Sequence, residues 1–257
     1  MRLARAAGLS ALALTDHDTL DGIPTARAAA AGTSLEVVPG VELSVDWEAG
    51  PAHLLAYWVE PGAGPLQDRL AELAAGRARR NAEILAALAG LGFDLSPEEL
   101  RPTPGLVGRP HIAAAMVRRG HATSVEAAFD LYLARGRPAY RPRRRLGAAE
   151  AVALTRRSGG AAVLAHPHTI AAGAAAYAAA FAAFAALGGA GIECRYPDYP
   201  PALQEHLAAV ARSLAMVPTG GSDYHGAHRP GIGLGKGRGD LLVPDEALED
   251  LRRRAGA

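Results

Sequence analysis

The chain has 257 residues, 49% hydrophobic and 21% charged, the size and balance of a globular protein with a sizeable core. Its 27 basic and 26 acidic residues leave a formal net charge of +1, so no global field marks it for nucleic acid or a membrane surface. Cys194 is the only cysteine, which excludes an intrachain disulfide and suits a reducing cytoplasm, and no apolar run approaches membrane-spanning length.

Residues 1–7 (MRLARAA) before Gly8 read as the last turns of a helix stopped by glycine, with no N-cap. A short parallel strand is expected over 11–14 (ALAL), halted by the charged cluster Thr15-Asp16-His17-Asp18. A helix over 23–31 follows, with Pro24 in its first turn and Gly32 as its stop. A second strand over 35–38 runs into a Pro39-Gly40 turn leading to Glu42, and His53 opens the apolar run HLLAYWV.

From 66 to 145 the β signals vanish. Apolar residues at Leu70, Leu73, Ile84, Leu85 and Leu88 predict a helix over 66–91. Ser96-Pro97-Glu98-Glu99 has the form of a capping box, and shorter helices are expected over 110–119 and 124–134. This stretch holds 14 arginines against 8 acidic residues, net +6, which leaves −5 for the rest. A basic segment beside an acidic one suits an anionic, phosphorylated ligand.

The α/β alternation resumes with a helix over 149–158 and a strand over 161–165 that ends at His166-Pro167-His168. In the alanine-rich helix 171–187, Tyr177, Phe181 and Phe184 form a packing stripe. A strand over 192–194, a helix over 200–214 and a strand over 216–219 lead to Ser222-Asp223-Tyr224-His225. The glycine-rich stretch 231–239 lacks the strand–helix unit that a phosphate-binding loop requires, and a helix over 244–254 closes the chain.

Several strand-like runs thus carry His, Asp or Glu at one end, where α/β folds gather their chemistry. His17, Glu42, His53, His166, Asp223 and His225 are nitrogen and oxygen donors without a thiolate. That mixture suits Zn²⁺, Mn²⁺ or Fe²⁺ in a catalytic rather than a structural site. His168, His206 and His228 are weaker candidates. A serine nucleophile at Ser222 is the non-metal option, and the missing Gly-x-Ser-x-Gly elbow speaks against it.

The motifs TDHDTLDG, PGVELS, the His53 strand, LAHP and GGSDYHG resemble the series of the PHP (polymerase and histidinol phosphatase) superfamily over nearly the whole chain. The resemblance implies an α/β fold, a distorted (β/α)₇ TIM-like barrel formed by 1–65 and 146–257. A helical, Arg-rich insertion at 66–145 would cover the active site. It implies divalent metal ions, Mn²⁺ first and Zn²⁺ or Fe²⁺ otherwise, held by His17, Glu42, His53, His166, Asp223 and His225. Asp16, His17 and Asp223 are the catalytic candidates. Arg77, Arg79, Arg80, Arg109 and His111 would bind substrate phosphate, a role for which the bidentate guanidinium is suited.

Within the superfamily the combination is most similar to phosphatases of nucleoside 3′,5′-bisphosphates, some of which also act as 5′→3′ exonucleases. The expected reaction is metal-assisted hydrolysis of a phosphomonoester of a small nucleotide. The alternatives are exonucleolytic trimming of short RNA or DNA, histidinol-phosphate hydrolysis, and a truncated remnant without turnover. Family members begin with a strand bearing His-x-His and then an Asp, and this sequence has no such opening. The expectation is therefore a barrel without its first strand, six ligands, and fewer than three metals. Base preference and oligomeric state stay open.

Overall fold

The computed structural model describes every residue except 49, 101–105, 172, 227–228 and 257. In chain order it contains α1 (Arg2–Ala6), β1 (Ala11–Leu14), α2 (Gly22–Ala30), β2 (Glu36–Trp47), β3 (Gly50–Tyr57) and α3 (Pro65–Ala89). There follow α4 (Arg109–Arg118), α5 (Val125–Ala128), β4 (Leu146–Gly147), α6 (Ala148–Arg157), β5 (Ala161–Leu164) and α7 (Ala174–Ala186). The last elements are β6 (Gly191–Arg195), α8 (Pro201–Ser213), β7 (Val217–Gly220) and α9 (Asp245–Arg252). Two compact units result, one from Met1–Gln67 with Leu146–Ala257 and the other from Asp68–Arg145.

The first unit is a mixed α/β structure around one curled sheet in the order β1-β2-β3-β5-β6-β7, with the two-residue β4 also on β2. β1–β2, β5–β6 and β6–β7 pair in parallel, whereas β3 runs antiparallel to both β2 and β5. Among the described residues β1 and β7 are the two ends of the sheet, and β1 is accordingly only half-buried along its length. The helices cover the sheet with apolar side chains. Phe181 and Phe184 of α7 are fully buried, as are Ile23 of α2 and Leu207 of α8. Each large apolar side chain removed from water stabilises the unit by about 1.5–3 kcal/mol. The predicted aromatic stripe is thus core packing.

β2 departs most from expectation. The Pro39-Gly40 pair is no turn: the strand runs through it for 12 residues, and Val38 to Val45 are buried without interruption. Proline is tolerated because β2 needs no donor there, and the Pro39 carbonyl still accepts the Trp58 N–H at 2.7 Å. Glycine is required by space instead. A Cβ on Gly40 would lie 2.9 Å from the Ala56 carbonyl oxygen and 2.9 Å from Thr15 Cγ2. Gly40→Ala is therefore expected to destabilise the protein by about 1–3 kcal/mol. Denaturant titration should show a lower midpoint at unchanged slope.

The second unit is helical. Ile84 and Leu88 of α3 pack on Ile112 and Met116 of α4, and Leu133 closes the cluster. The predicted capping box is half realised: the Glu99 carboxylate accepts the Ser96 N–H at 2.8 Å, at the head of a 3₁₀ turn rather than an α-helix. The helix expected over 124–134 is α5 followed by a π turn over Phe129–Leu133. A helix end leaves carbonyls without partners, and Arg109 donates to that of Leu133 at 2.9 Å.

Candidate metal centre

The loop after β1 continues the β1–β2 ladder instead of leaving it. Glu42 N–H donates to the Asp16 carbonyl at 3.1 Å, and Asp18 N–H to the Glu42 carbonyl at 2.9 Å. His17 is thereby placed opposite Glu42. The buried Asp18 carboxylate accepts the Ser44 N–H at 2.8 Å, which pins the loop to β2. Asp18 adopts a positive φ of 55°, a conformation that a short polar side chain tolerates better than most.

β3 brings the next donor. His53 pairs with Ser44 across the antiparallel ladder, so it shares a face with Glu42, the diagonal neighbour. The ladder then passes to β5: Ala165 N–H donates to the His53 carbonyl at 3.1 Å, and His166 follows beside it.

Three imidazoles converge on one buried carboxylate. Glu42 Oε1 lies 2.7 Å from His53 Nδ1 and 3.2 Å from His166 Nε2, and Oε2 lies 3.5 Å from His17 Nδ1. His53 Nδ1 and His166 Nε2 are 3.2 Å apart. His17, Glu42 and His53 each offer a ligand atom within 4.8 Å of the other two. A cation at their centre would relieve the crowding of imidazole nitrogens and neutralise the carboxylate, so this donor set fits a divalent metal.

Of the remaining candidates, His225 has its ring 5.9 Å from that of His17. Its Nδ1 is 3.3 Å from Asp223 Oδ1. The second Asp223 oxygen is occupied, accepting from the Tyr196 hydroxyl at 2.9 Å and from Arg229 at 2.8 Å. Arg229 also pairs with Asp198 at 2.7 Å, and its guanidinium lies 4.9 Å from the centre of the Tyr196 ring. Asp16 stands next to His17, and its Oδ2 would be 2.6 Å from a Cβ on Gly22. Ser222 is buried with its hydroxyl accepting the Gly235 N–H, a structural task that does not suit a nucleophile. His206 is exposed on α8, and His228 lies outside the described residues.

Electrostatics follow from this crowding. Burial alone would raise the Glu42 carboxyl, but hydrogen bonds from His166 and His53 and the His17 charge outweigh it and hold it well below the carboxylate range. His17 is lowered by burial, against the pull of Glu42 and with the repulsion of His53. His166 is desolvated too, yet its hydrogen bond to Glu42 and the field of Glu193 leave it raised. Burial pushes Glu193 itself up to about 8.

Glu193 is the residue that sequence reasoning missed. Its carboxylate accepts the His166 N–H at 2.7 Å, and His166 sits at φ 25°, ψ 66°, outside the comfortable regions. Tyr196, Arg229 and Asp18 were missed likewise, because an anchor of backbone or neighbour leaves no spacing signal.

The second unit gathers part of the arginine set. Arg80 is buried, and its Nε has no hydrogen-bond partner among the described residues. Desolvation first, then repulsion from Arg77, Arg109 and Arg143, lowers its pKa to about 10. Arg109 lies 5.3 Å from the Tyr140 ring centre and 5.7 Å from that of Phe129. His111 Nδ1 accepts the Gly108 N–H at 3.1 Å and caps α4. Arg79 is exposed.

No family model matches the chain. It is 30% identical to a 3′,5′-nucleoside bisphosphate phosphatase of Chromobacterium violaceum, across 90% of this chain and 82% of that one. With the 5′-3′ exoribonuclease Rnm of Salmonella typhimurium the identity is 33%, across 83% and 74%. The fold superimposes with a TM-score of 0.83 and 27% identity on a structure described as a metal-dependent phosphoesterase of Bifidobacterium adolescentis, covering 99% of this chain and 89% of that one. By its motifs, its donor cluster and these relatives, the chain belongs to the PHP family of metal-dependent phosphoesterases.

Proposed function

We propose that the chain hydrolyses a phosphomonoester of a small nucleotide, with a nucleoside 3′,5′-bisphosphate as the preferred substrate. The observation that carries this reading is the convergence of His17, His53 and His166 on Glu42, a donor set without thiolate in a PHP-family fold. His17, Glu42, His53 and His166, with Asp223 and His225, are assigned as the metal ligands. A divalent cation held there supplies Lewis-acid stabilisation of phosphoryl charge and an activated water. Glu42, kept ionised, contributes the negative charge that retains the cation. His17 and His53, neutral when they ligate, offer lone pairs rather than protons. Asp16 and His17 at the end of β1, and Asp223 beyond β7, form the catalytic group.

Residues 66–145 are read as a substrate-recognising insertion. Arg77, Arg80 and Arg109, with Arg79 and His111 as outer members, bind a phosphate group. The buried Arg80 guanidinium supports this, since an unneutralised cation with an unpartnered donor is suited to receive an anion. The sheet of the first unit is read as a distorted TIM-like barrel. Mn²⁺ is the expected metal, with Zn²⁺ and Fe²⁺ as substitutes. A second reading, 5′→3′ trimming of short RNA, is favoured by the 33% identity to an exoribonuclease.

The test loads purified protein with Mn²⁺, Zn²⁺ or Fe²⁺ in turn. Phosphate release from adenosine 3′,5′-bisphosphate is measured beside mononucleotide release from a 5′-phosphorylated RNA oligomer. Faster turnover of the bisphosphate is the expected result. Faster turnover of the oligomer selects the second reading, and no release with any metal removes both.

A further inference from the structure

We propose that His168 is a further substrate-contacting residue of this chain, donating a hydrogen bond from its Nε2–H to a phosphoryl oxygen at the mouth of the metal centre. The inference rests on the phosphoesterase reading above and adds a residue outside the ligand set.

His168 belongs to the short 3₁₀ turn, Pro167–Thr169, that follows β5, two positions after His166. Unlike His166 it is exposed, and its ring lies 5.9 Å from the His166 ring. An exposed histidine ordinarily samples several rotamers, because ordering it costs side-chain entropy. This one is held from two sides. Tyr199 Oη is 2.8 Å from His168 Nδ1 and also accepts the His168 backbone N–H at 3.2 Å. The Tyr196 ring is 5.3 Å away, and the Tyr199 ring meets the imidazole edge-on at 5.4 Å and 87°. Tyr196 and Tyr199 are themselves buried, so the platform is rigid.

The bonding pattern accommodates a tautomer in which the phenol donates. A phenol has a single proton to donate. With the backbone N–H of His168 on one lone pair of Tyr199 Oη, the phenolic proton is free to be donated to Nδ1. Burial favours the phenol over the phenolate and so keeps that proton in place. With Nδ1 accepting, the neutral imidazole carries its own proton on Nε2. In this tautomer the chain holds an oriented N–H donor beside His166, on the edge of the ring that Tyr199 leaves unbonded. Its backbone is anchored by the same hydroxyl that meets its ring. Tyr196, which flanks it, also donates to Asp223 at 2.9 Å, so the platform under His168 is continuous with the site. An anion with several acceptor oxygens, a phosphoryl group, is the ligand chemistry that such a donor beside a cation site recognises.

The experiment compares wild type, His168→Ala, Tyr199→Phe and the double variant, all loaded with Mn²⁺. Affinity for inorganic phosphate is measured by calorimetry, phosphate release from adenosine 3′,5′-bisphosphate by steady-state kinetics, and metal content by elemental analysis. His168→Ala should keep wild-type metal content while phosphate affinity and kcat/KM each fall by about 10- to 100-fold, the loss of one hydrogen bond to a charged group. Tyr199→Phe should fall less, and the double variant should match His168→Ala, because the phenol acts only through the imidazole. Unchanged phosphate affinity in His168→Ala overturns the proposal, and so does loss of metal in that variant. Strict additivity of the two substitutions overturns the part assigned to Tyr199. Failure of the phosphoesterase reading is distinct, since it appears in the wild type as no phosphate release, whereas failure here appears only in the variants.

Discussion

Replacing Glu42 by alanine is expected to strip the protein of metal and to lower kcat/KM by about 10³-fold or more. The reason is geometric: one buried carboxylate serves three imidazoles, at 2.7, 3.2 and 3.5 Å. Metal assistance to phosphoryl transfer is worth several kcal/mol, and about 4 kcal/mol corresponds to that factor. Removing any single histidine leaves the shared carboxylate and two of its imidazoles, whereas removing Glu42 leaves three imidazoles crowded together without the carboxylate that they share. Glu42→Gln separates charge from volume. It preserves the shape of the pocket and should lose metal nearly as completely as Glu42→Ala. Elemental analysis after dialysis, beside phosphate release at saturating metal, measures both effects. Retention of metal in Glu42→Gln would show that the histidines alone hold the ion and would reassign the carboxylate to positioning them.

Arg80→Met is expected to do two opposite things. Arg80 is buried among like charges, with its Nε unpartnered among the described residues. A buried unsatisfied donor costs about 1–3 kcal/mol, and methionine fills comparable volume without that cost. The ligand-free variant should therefore be more stable than wild type by an amount of that order, seen as a higher denaturation midpoint. Substrate recognition should suffer at the same time, with KM for the bisphosphate rising by about 10-fold or more, the loss of one charge-assisted hydrogen bond. Metal content should not change. A protein that gains stability as it loses affinity marks a site where stability is sacrificed for binding. If Arg80→Met is destabilised and keeps its KM, the guanidinium is a structural element of the helical unit and the arginine cluster is not a phosphate site.

Several of the candidate donors were legible because an apolar run is cut short by His or Asp. His17 after ALAL, His166 after the β5 run and Asp223 after Gly220-Gly221 all show that grammar. Strand direction was not legible. β3 is antiparallel to its neighbours, and its alternation of apolar residues is the same read forwards or backwards; only the position of His53 at one end of the run hinted at the polarity. β2 was mistaken for a short strand and a turn because Pro39-Gly40 is turn chemistry in isolation. The close approach of Ala56 and Thr15 that demands a glycine there is a tertiary fact. Glu193 was passed over as one polar residue in an apolar strand. Its role lies in a bond to the backbone N–H of His166, 27 residues earlier, and no local pattern encodes that. Asp18 was visible as part of the charged cluster, but its inward turn toward Ser44 was not.

The seating of Glu42 has a consequence for how an ion comes and goes. The residue lies in the middle of β2, between Val41 and Leu43, both with no accessible surface, so it cannot leave its place without opening the core of its unit. The loop that carries His17 is tied to the same strand through Asp16 and Asp18. His225 instead rides on a segment beyond the end of β7, where local opening takes far less free energy than global unfolding. An ion held there would therefore exchange by that segment letting go while the carboxylate stays behind as a stationary berth. Its half-life would then follow the pace of loop motion, and a reagent that stiffens residues 222–226 would trap the ion without tightening a single bond to it.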